Sequence, residues 1–165
     1  MSRGEARPRI EVVPAIAGHI APIAAHMRQA DRDEVWASSL NEPETALSAS
    51  LAASPLAWTG LVDGIPVCMF GAAAAAMLAS RGCPWLLGTA AVEDHAVAFL
   101  RRNRAQVRLM LEVFGTLANH VDSRNTVSRR WLEWLGFTIH PAKPYGPLGL
   151  PFHPFCLGRP LVTTN

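Results

Sequence analysis

The sequence predicts a single α/β domain in which helices flank a mixed central β-sheet. Half of the 165 residues are apolar, which suffices for one hydrophobic core, whereas two domains would need a longer chain. Segments with the apolar spacing of helices alternate with short apolar runs typical of strands, as in α/β proteins. We expect residues 1–140 to form the core of the domain. Residues 141–165, rich in proline and glycine, are expected to form a C-terminal arm of the same domain.

The charge balance argues against several classes of protein. The chain has 15 Lys and Arg and 13 Asp and Glu, a net charge of +2, which is typical neither of a disordered polyelectrolyte nor of a nucleic-acid clamp. We therefore expect no specific nucleic-acid partner. The longest apolar stretch, from Ile65 to Ala79, is shorter than the roughly 20 residues that span a bilayer, so we expect no membrane partner.

The cysteines and histidines show no pattern of a metal or redox site. Cys68, Cys83 and Cys156 are far apart in the sequence, and we interpret them as three buried, reduced thiols in a reducing cytosol. The histidines lack the spacing that places two ligands on one helical face. The sequence therefore predicts no metal site.

The N-terminal part predicts a strand followed by helices. Residues 9–13 form the first expected strand, and the apolar spacing from Ile16 to Met27 predicts the first helix. Asp31 and Glu34 have the spacing of a capping box, in which the first carboxylate accepts from free helix amides and the second reaches back. A second helix is therefore expected to begin at Asp31.

A third helix and a hairpin follow. Residues 41–54 predict the helix, with a proline suited to its first turn. The pair Asp63-Gly64 indicates a tight hairpin turn, so residues 57–62 and 65–73 are expected to form two antiparallel strands. Residues 83–91 then predict a central strand buried on both faces.

The longest helix is expected to begin at Glu93 and Asp94, which either cap it or act as a base towards a substrate amine. Its apolar stripe is expected to contain Val97, Leu100, Val107, Leu111, Phe114 and Ala118. Another face carries Arg101, Arg104 and Arg108. These arginines form either a solvated surface or a contact for an anionic partner.

A strand at residues 117–121 and a capped helix come next. Asn125 has the position of an N-cap for a helix over residues 126–135, and Gly136 that of its left-handed C-terminal residue. We expect Trp131 and Leu135 to be largely buried by this helix.

After a strand at residues 137–140, the arm is expected to be irregular, with one short strand near residues 155–157. Tyr145, Phe152 and Phe155 are candidate anchors for a partner, and the alternative is that they cover the domain's own core. His153 lies between prolines and is a further candidate contact, or else a hydrogen-bonded loop histidine.

The segment from Asn125 to Phe137, NTVSRRWLEWLGF, resembles the GNAT (Gcn5-related N-acetyltransferase) segment N-x-x-A-x-x-[LF]-Y-x-x-x-G-F. The predicted order of strands and helices is also similar to that of GNAT proteins. This resemblance implies a GNAT-like mixed sheet with a helix packed beside a coenzyme A site. If acetyl-CoA is bound, the residues implied to contact it are Leu87, Gly88, Thr89, Asn125 and Ser128.

Four segments extend the resemblance to a narrower family. The sequences DRDEVW from Asp31, PVCMFG from Pro66, PWLLGT from Pro84 and the stretch from Arg124 to Phe137 are similar to a GNAT-like family of tailed bacteriophages and prophages. That family includes a small assembly protein placed among the internal virion proteins of short-tailed phages. The resemblance implies phage virion or assembly proteins as partners, and a location in the virion or the host cytoplasm.

The chain departs from GNAT enzymes at two places. The pyrophosphate loop of those enzymes, [QR]-x-x-G-x-[GA], is replaced by a segment from Gly88 that ends in the carboxylates of Glu93 and Asp94. Leu132 stands where many GNAT enzymes have a proton-donating tyrosine. We therefore expect a structural or assembly protein without catalysis or cofactor. The alternative is an active acetyl-CoA-dependent N-acetyltransferase that modifies a host or phage amine.

Overall fold

A computed structural model describes residues 6–75 and 80–158. The strands are β1 (Ile10–Pro14), β2 (Leu56–Val62), β3 (Ile65–Ala74), β4 (Arg81–Gly88), β5 (Thr116–Asp122), β6 (Thr138–Ile139), β7 (Lys143–Tyr145) and β8 (Leu150–Gly158). The helices are α1 (Ile20–Ala25), α2 (Gln29–Ser39), α3 (Pro43–Ala53), α4 (Ala91–Asp94), α5 (Ala96–Phe114) and α6 (Thr126–Trp134). A single 3-10 turn, Ala17–His19, precedes α1.

The strands form one mixed sheet in the order β1-β2-β3-β4-β5-β8-β6, and β7 pairs with β8. Helices α1 to α3 cover one face, where their apolar residues pack with Met69 and Leu87. Helices α5 and α6 cover the other face around Phe70 and Leu117. The predicted fold class, an α/β domain with a mixed sheet between helices, is confirmed.

The sheet is interrupted between its two central strands. Strands β4 and β5 are parallel, but their pairing includes only Arg81 with Thr116 and Gly82 with Leu117. Just beyond these pairs, the side-chain amide of Asn119 donates to the carbonyl of Pro84 over 2.9 Å and bridges the strands. We call the space between the carboxyl-terminal halves of β4 and β5 the gap. Carboxyl ends of parallel strands are where ligands of open α/β sheets bind.

The predicted hairpin is confirmed. Strands β2 and β3 are antiparallel, and their turn residues Asp63 and Gly64 have φ angles of 50° and 79°. Both angles lie in the left-handed region, which a tight hairpin turn requires and which Asp-Gly adopts readily.

The predicted capping box is wrong. Helix α2 begins at Gln29, so Asp31 lies inside its first turn, and no side chain caps the helix. The carboxylate of Asp31 instead binds the guanidinium of Arg28. A charge-assisted bond to a buried cation is stronger than a neutral bond to a helix amide, which explains the different partner.

Helix α5 buries the predicted stripe only in part. Its buried side chains are Phe99, Asn103, Met110 and Phe114. Val97, expected in the apolar stripe, is 62% exposed, and Ala118 lies in β5. Phe114 of the predicted stripe is buried, and Val107 and Leu111 pack partly buried against the core.

Up to Gly158, the last residue that the structure describes, the C-terminal arm is not irregular, contrary to expectation. Strand β8 spans nine residues and pairs with β5 from Thr116–Gly158 to Asp122–Phe152. Its prolines lack an amide hydrogen but still accept hydrogen bonds: Ser123 donates to the carbonyl of Pro151 over 3.0 Å. Proline disfavours a regular strand because it has no amide donor, but it retains its carbonyl acceptor, and this allows β8 to pair.

Helix α6 has the predicted termini. Asn125 accepts from the amide of Ser128, and Gly136 has a φ angle of 98°. Trp131 and Leu135 are partly buried: both pack against the core and also line a cavity.

Of the three free cysteines, Cys68 is buried, and burial raises the pKa of its thiol to about 12. Cys83 and Cys156 are half-buried, so the expectation of three buried thiols is wrong for these two. The Sγ atom of Cys156 lies 3.4 Å from Nε2 of the exposed His140, at the surface side of β8.

Within residues 6–75 and 80–158, no helix has the length and apolar character needed to cross a membrane.

Candidate functional site

A buried arginine lies where the two central strands end. The guanidinium of Arg28 donates to both carboxylate oxygens of Asp31 over 2.8 and 2.7 Å, and to Glu93 over 2.8 Å. It also donates to the hydroxyl of Ser128 over 2.7 Å and lies 4.9 Å from the ring centre of Trp131. Only 4% of the Arg28 side chain is exposed. We call these five residues the Arg28 cluster.

The cluster connects elements on both sides of the gap. Glu93 belongs to α4, which follows β4, whereas Ser128 and Trp131 belong to α6, which follows β5. Arg28 itself precedes α2 and reaches both. The mouth of the gap is therefore closed by a side chain held through charge-assisted hydrogen bonds.

Three of the backbone amides at and after the end of β4 are bonded within the protein. The amide of Gly88 donates to Asp31 over 2.9 Å, and that of Thr89 donates to the carbonyl of Val67 over 2.8 Å. The amide of Val92 donates to the carbonyl of Thr89 over 3.1 Å. An anion site of the phosphate-loop kind needs such amides to be free and to converge on one point. These three do not provide one.

The two carboxylates after β4 do not have their predicted helical role. Glu93 and Asp94 lie in the one-turn helix α4, and the long helix α5 begins only at Ala96. Neither helix has a side-chain cap. Glu93 pairs with Arg28, because a buried guanidinium binds a carboxylate better than peptide amides do.

A second set of acidic groups lies beside the cluster. Asn125 donates through Nδ2 to Glu34 and, over 3.3 Å, to Asp31. Glu34 also accepts from the amide of Asp122 over 3.2 Å. Burial, reinforced by the negative charges of Asp31 and Asp122, raises the pKa of Glu34 to about 7. A carboxyl group of this kind takes up and releases protons near neutrality.

This pKa predicts how stability depends on pH. The pKa of Glu34 rises from an ordinary 4.5 to about 7 on folding. The folded protein therefore binds more protons than the unfolded chain within this window, and its stability falls as pH rises through it, by at most on the order of 3 kcal/mol. We expect Glu34→Gln to remove this loss.

Urea unfolding at several pH values between 5 and 8 measures the effect. Glu133→Gln, on the exposed face of α6, controls for the loss of one negative charge. An unchanged stability profile in Glu34→Gln would show that Glu34 does not titrate in this range.

A cavity of about 400 Å³ extends through the gap and reaches both faces of the sheet. Its polar lining includes Glu34, Asn103, Asn119 and His120. Its aromatic lining includes Phe70, Trp85, Trp131, Phe137, Tyr145, Phe152 and Phe155. The cavity thus combines an apolar interior with a few polar groups, as ligand sites do.

One wall of the cavity is a stack of rings. His120 stacks on Tyr145 with the ring centres 4.0 Å apart, and Tyr145 lies 5.2 Å from Phe152. Burial, followed by the positive charges of Lys143 and Arg81, lowers the pKa of His120. The imidazole is therefore neutral at pH 7.

The predicted aromatic anchors of the arm belong to the protein's own interior. Phe152 and Phe155 are 1% and 5% exposed, and Phe155 packs edge-on against Phe137 at 5.4 Å. Tyr145 is half-buried in the ring stack. The alternative that these residues cover the core is the correct one, because β8 lies inside the sheet rather than beyond it.

The other residues predicted to contact a partner lie on two different elements, α5 and β8. Arg101, Arg104 and Arg108 are exposed on α5, and Arg104 lies 3.9 Å from the ring centre of Trp134. A contact with an anionic partner stays a prediction. His153 lies in β8 rather than in a loop, and its Nδ1 donates to the carbonyl of His140 over 2.8 Å.

No three His, Cys, Asp or Glu side chains of the described ranges 6–75 and 80–158 are grouped to hold a metal ion.

Several residues of the site were not predicted from the sequence. Arg28 and Asn103 carried no motif, and His120 was only one of the scattered histidines. Glu34 was interpreted as part of a helix cap. The available signal was the pair of carboxylates Asp31 and Glu34 that follow Arg28 at intervals of three residues, in the segment that opens α2.

Solved structures resemble this architecture closely enough to assign the fold. An acetyltransferase of the GNAT family from Streptococcus pneumoniae aligns with a TM-score of 0.66 at 11% identity, over 91% of this chain and 99% of that one. The chain has the GNAT fold. A GCN5-related N-acetyltransferase from Kribbella flavida gives a TM-score of 0.62 at 18% identity, over 91% and 98%.

An aminoglycoside acetyltransferase solved with coenzyme A also shares the GNAT fold, with a TM-score of 0.65 at 15% identity over 92% and 95%. At such identities the likeness establishes the fold alone. No protein-family model and no curated protein matches the sequence.

The GNAT fold implies acetyl-CoA, whose pyrophosphate the residues after β4 do not fit. The amides of Gly88 and Thr89 are bonded internally, and the carboxylate of Glu93 lies beside them. Arg28 is a cation, but three protein oxygen groups already surround its guanidinium. A diphosphate here would have to displace these bonds and approach a carboxylate.

Proposed function

We propose that the protein is a catalytically inactive GNAT-fold component of a bacteriophage particle or of its assembly. The observation that supports the absence of catalysis is the Arg28 cluster, which closes the mouth of the gap with the protein's own charges. The phage role is supported by the resemblance of four sequence segments to the GNAT-like family of tailed phages. The partners are then other virion or assembly proteins.

The gap also lacks the proton donor that many GNAT enzymes use, which is consistent with a catalytically inactive protein. Leu132, at the position of the proton-donating tyrosine, lines the cavity and cannot protonate a leaving thiolate. Tyr145 also lines the cavity, but its ring is stacked on His120 and comes from a different part of the sheet. Helix α6 therefore has no proton-donating side chain at the position where the GNAT motif has its tyrosine.

Calorimetric titration with acetyl-CoA tests the inactive state. We expect no binding heat up to millimolar acetyl-CoA, since the cofactor would have to break the ion pairs of Arg28 with Asp31 and Glu93. A GNAT enzyme known to bind acetyl-CoA, titrated in the same buffer, controls for the quality of the cofactor. Binding at micromolar concentration would overturn the proposal.

Mass spectrometry of purified phage particles tests the structural role. We expect peptides of this chain in particles that have been banded and treated with protease, because an internal component is shielded by the capsid. Particles that lack the protein after banding would contradict a place in the virion.

A second candidate is an active acetyl-CoA-dependent N-acetyltransferase that modifies a host or phage amine. It is favoured by Glu34, which lines the cavity and has a pKa of about 7, suited to accepting a proton from an ammonium group. It is also consistent with the acetyltransferases among the similar structures. The same titration separates the two candidates, because this one requires acetyl-CoA to bind.

A further inference from the structure

We propose that the cavity in the gap binds an uncharged, mainly apolar small molecule that carries one hydroxyl or amide hydrogen-bond donor. The cavity measures about 400 Å³, within the range of small-molecule sites in proteins. The inference goes beyond the proposed function, since a structural protein and an enzyme could each hold such a ligand.

The acceptor for the donor is Asn103. This side chain is on the buried face of α5, only 5% of the residue is exposed, and it lines the cavity. Its Oδ1 has no hydrogen-bond partner among residues 6–75 and 80–158. A buried amide oxygen without a partner costs about 1–3 kcal/mol, so a ligand that donates to it gains binding free energy that an apolar analogue lacks.

The charge of the lining selects against anions. Among the described residues that line the cavity there is one acid, Glu34, and neither a lysine nor an arginine. His120 is uncharged at neutral pH, because burial lowers its pKa. A carboxylate or phosphate would lose its hydration here without meeting a cation.

The lining also disfavours a permanent cation. Glu34 is the only carboxylate that could pair with it, and its oxygens already accept from Asn125 and the amide of Asp122. With a pKa of about 7, half of the Glu34 groups are neutral at that pH. The ligand class that remains is uncharged.

The route of entry lies between α2 and α3. Ser39 at the end of α2 and Ala49 on α3 are exposed and line the cavity, so it opens to solvent between these helices. The deeper walls contain the half-buried rings of Trp85 and Trp131. An aliphatic chain that enters beside α3 removes this aromatic surface from water.

Four probes built on an eight-carbon chain test the proposal by calorimetry and tryptophan fluorescence. They are 1-octanol, octyl methyl ether, octanoate and octylammonium. We expect 1-octanol to bind the full-length protein, the ether to bind about tenfold more weakly because it has no donor, and the two ions to bind at least tenfold more weakly. Absence of binding by 1-octanol would overturn the proposal, as would equal affinity for alcohol and ether.

Two matched variants locate the effect. Asn103→Leu is expected to bring the affinity for 1-octanol down to that for the ether. Gln106→Leu removes another buried side-chain oxygen without a partner from the same helix, but one that does not line the cavity, and is expected to change nothing. Circular dichroism verifies that both variants fold.

Three further outcomes contradict the proposal. Asn103 would not be the acceptor if Gln106→Leu abolished the difference in affinity between 1-octanol and the ether. The same would follow if Asn103→Leu left that difference unchanged. If octylammonium bound most tightly of the four probes, the ligand class would be a cationic amine rather than an uncharged molecule.

Discussion

A chain that ends at His140 is expected to lose its cooperative unfolding transition and to aggregate. It lacks β8, which pairs with β5 over seven residues and also holds β6 and β7 in the sheet. Without it, β5 becomes an open strand edge, which is prone to pair with other chains. Phe152 and Phe155 are lost from the core at the same time.

Thermal unfolding by circular dichroism and size-exclusion chromatography measure this loss. In the full-length chain, Phe155→Ala is expected to cost about 3–5 kcal/mol, because it opens a cavity in a packed core. Leu148→Ala is the matched control: Leu148 is 51% exposed, so its effect is expected within about 0.5 kcal/mol.

A truncated chain that stayed monomeric and melted like the full-length protein would show that β8 is dispensable for folding. The C-terminal residues would then again be candidates for docking on a partner. If it unfolds, a partner surface is to be sought elsewhere, and the exposed Arg101, Arg104 and Arg108 on α5 are the next candidates.

Arg28→Ala is expected to lower the free energy of unfolding by about 3–5 kcal/mol at pH 7, because it leaves a buried carboxylate without its cation. Asp31 is 1% exposed and would keep only the amide of Gly88 and the side chain of Asn125 as partners. Burial is the main influence on the pKa of Asp31 and raises it, and loss of the arginine strengthens this effect.

The raised pKa of Asp31 also determines the sign of the pH dependence of stability in Arg28→Ala. A carboxyl with a pKa raised on folding binds its proton preferentially in the folded state, so the variant regains stability as the pH falls. The difference from the wild type is therefore expected to be smaller at pH 5 than at pH 7. Urea unfolding of both proteins at the two pH values measures it.

An exposed ion pair is the matched control for Arg28. Arg9 binds Glu11 over 2.8 Å, but 77% of its side chain is exposed. Arg9→Ala is expected to cost no more than about 1 kcal/mol, since water screens and replaces the pair. Equal losses for the two variants would mean that the Arg28 cluster contributes no more than a surface contact.

Local features were predictable where neighbouring residues alone decide the geometry. The turn at Asp63-Gly64 and the cap of α6 by Asn125 depend on backbone angles and on bonds across three residues, and both are as predicted. The GNAT-like order of elements also follows from patterns within short windows. Windows of this length cannot show how far each side chain of a helical face is buried, and for α5 the predicted stripe is buried only in part.

The site depends on distances along the chain that no local pattern encodes. Arg28 lies 65 positions from Glu93 and 100 positions from Ser128 in the sequence, and its bonds to them close one end of the gap between β4 and β5. Strand β8 forms despite its prolines, because the unpaired edge of β5 supplies partners that a propensity argument does not count. Composition and spacing thus determine which elements form, whereas burial of charge and pairing of distant strands determine what the gap can bind.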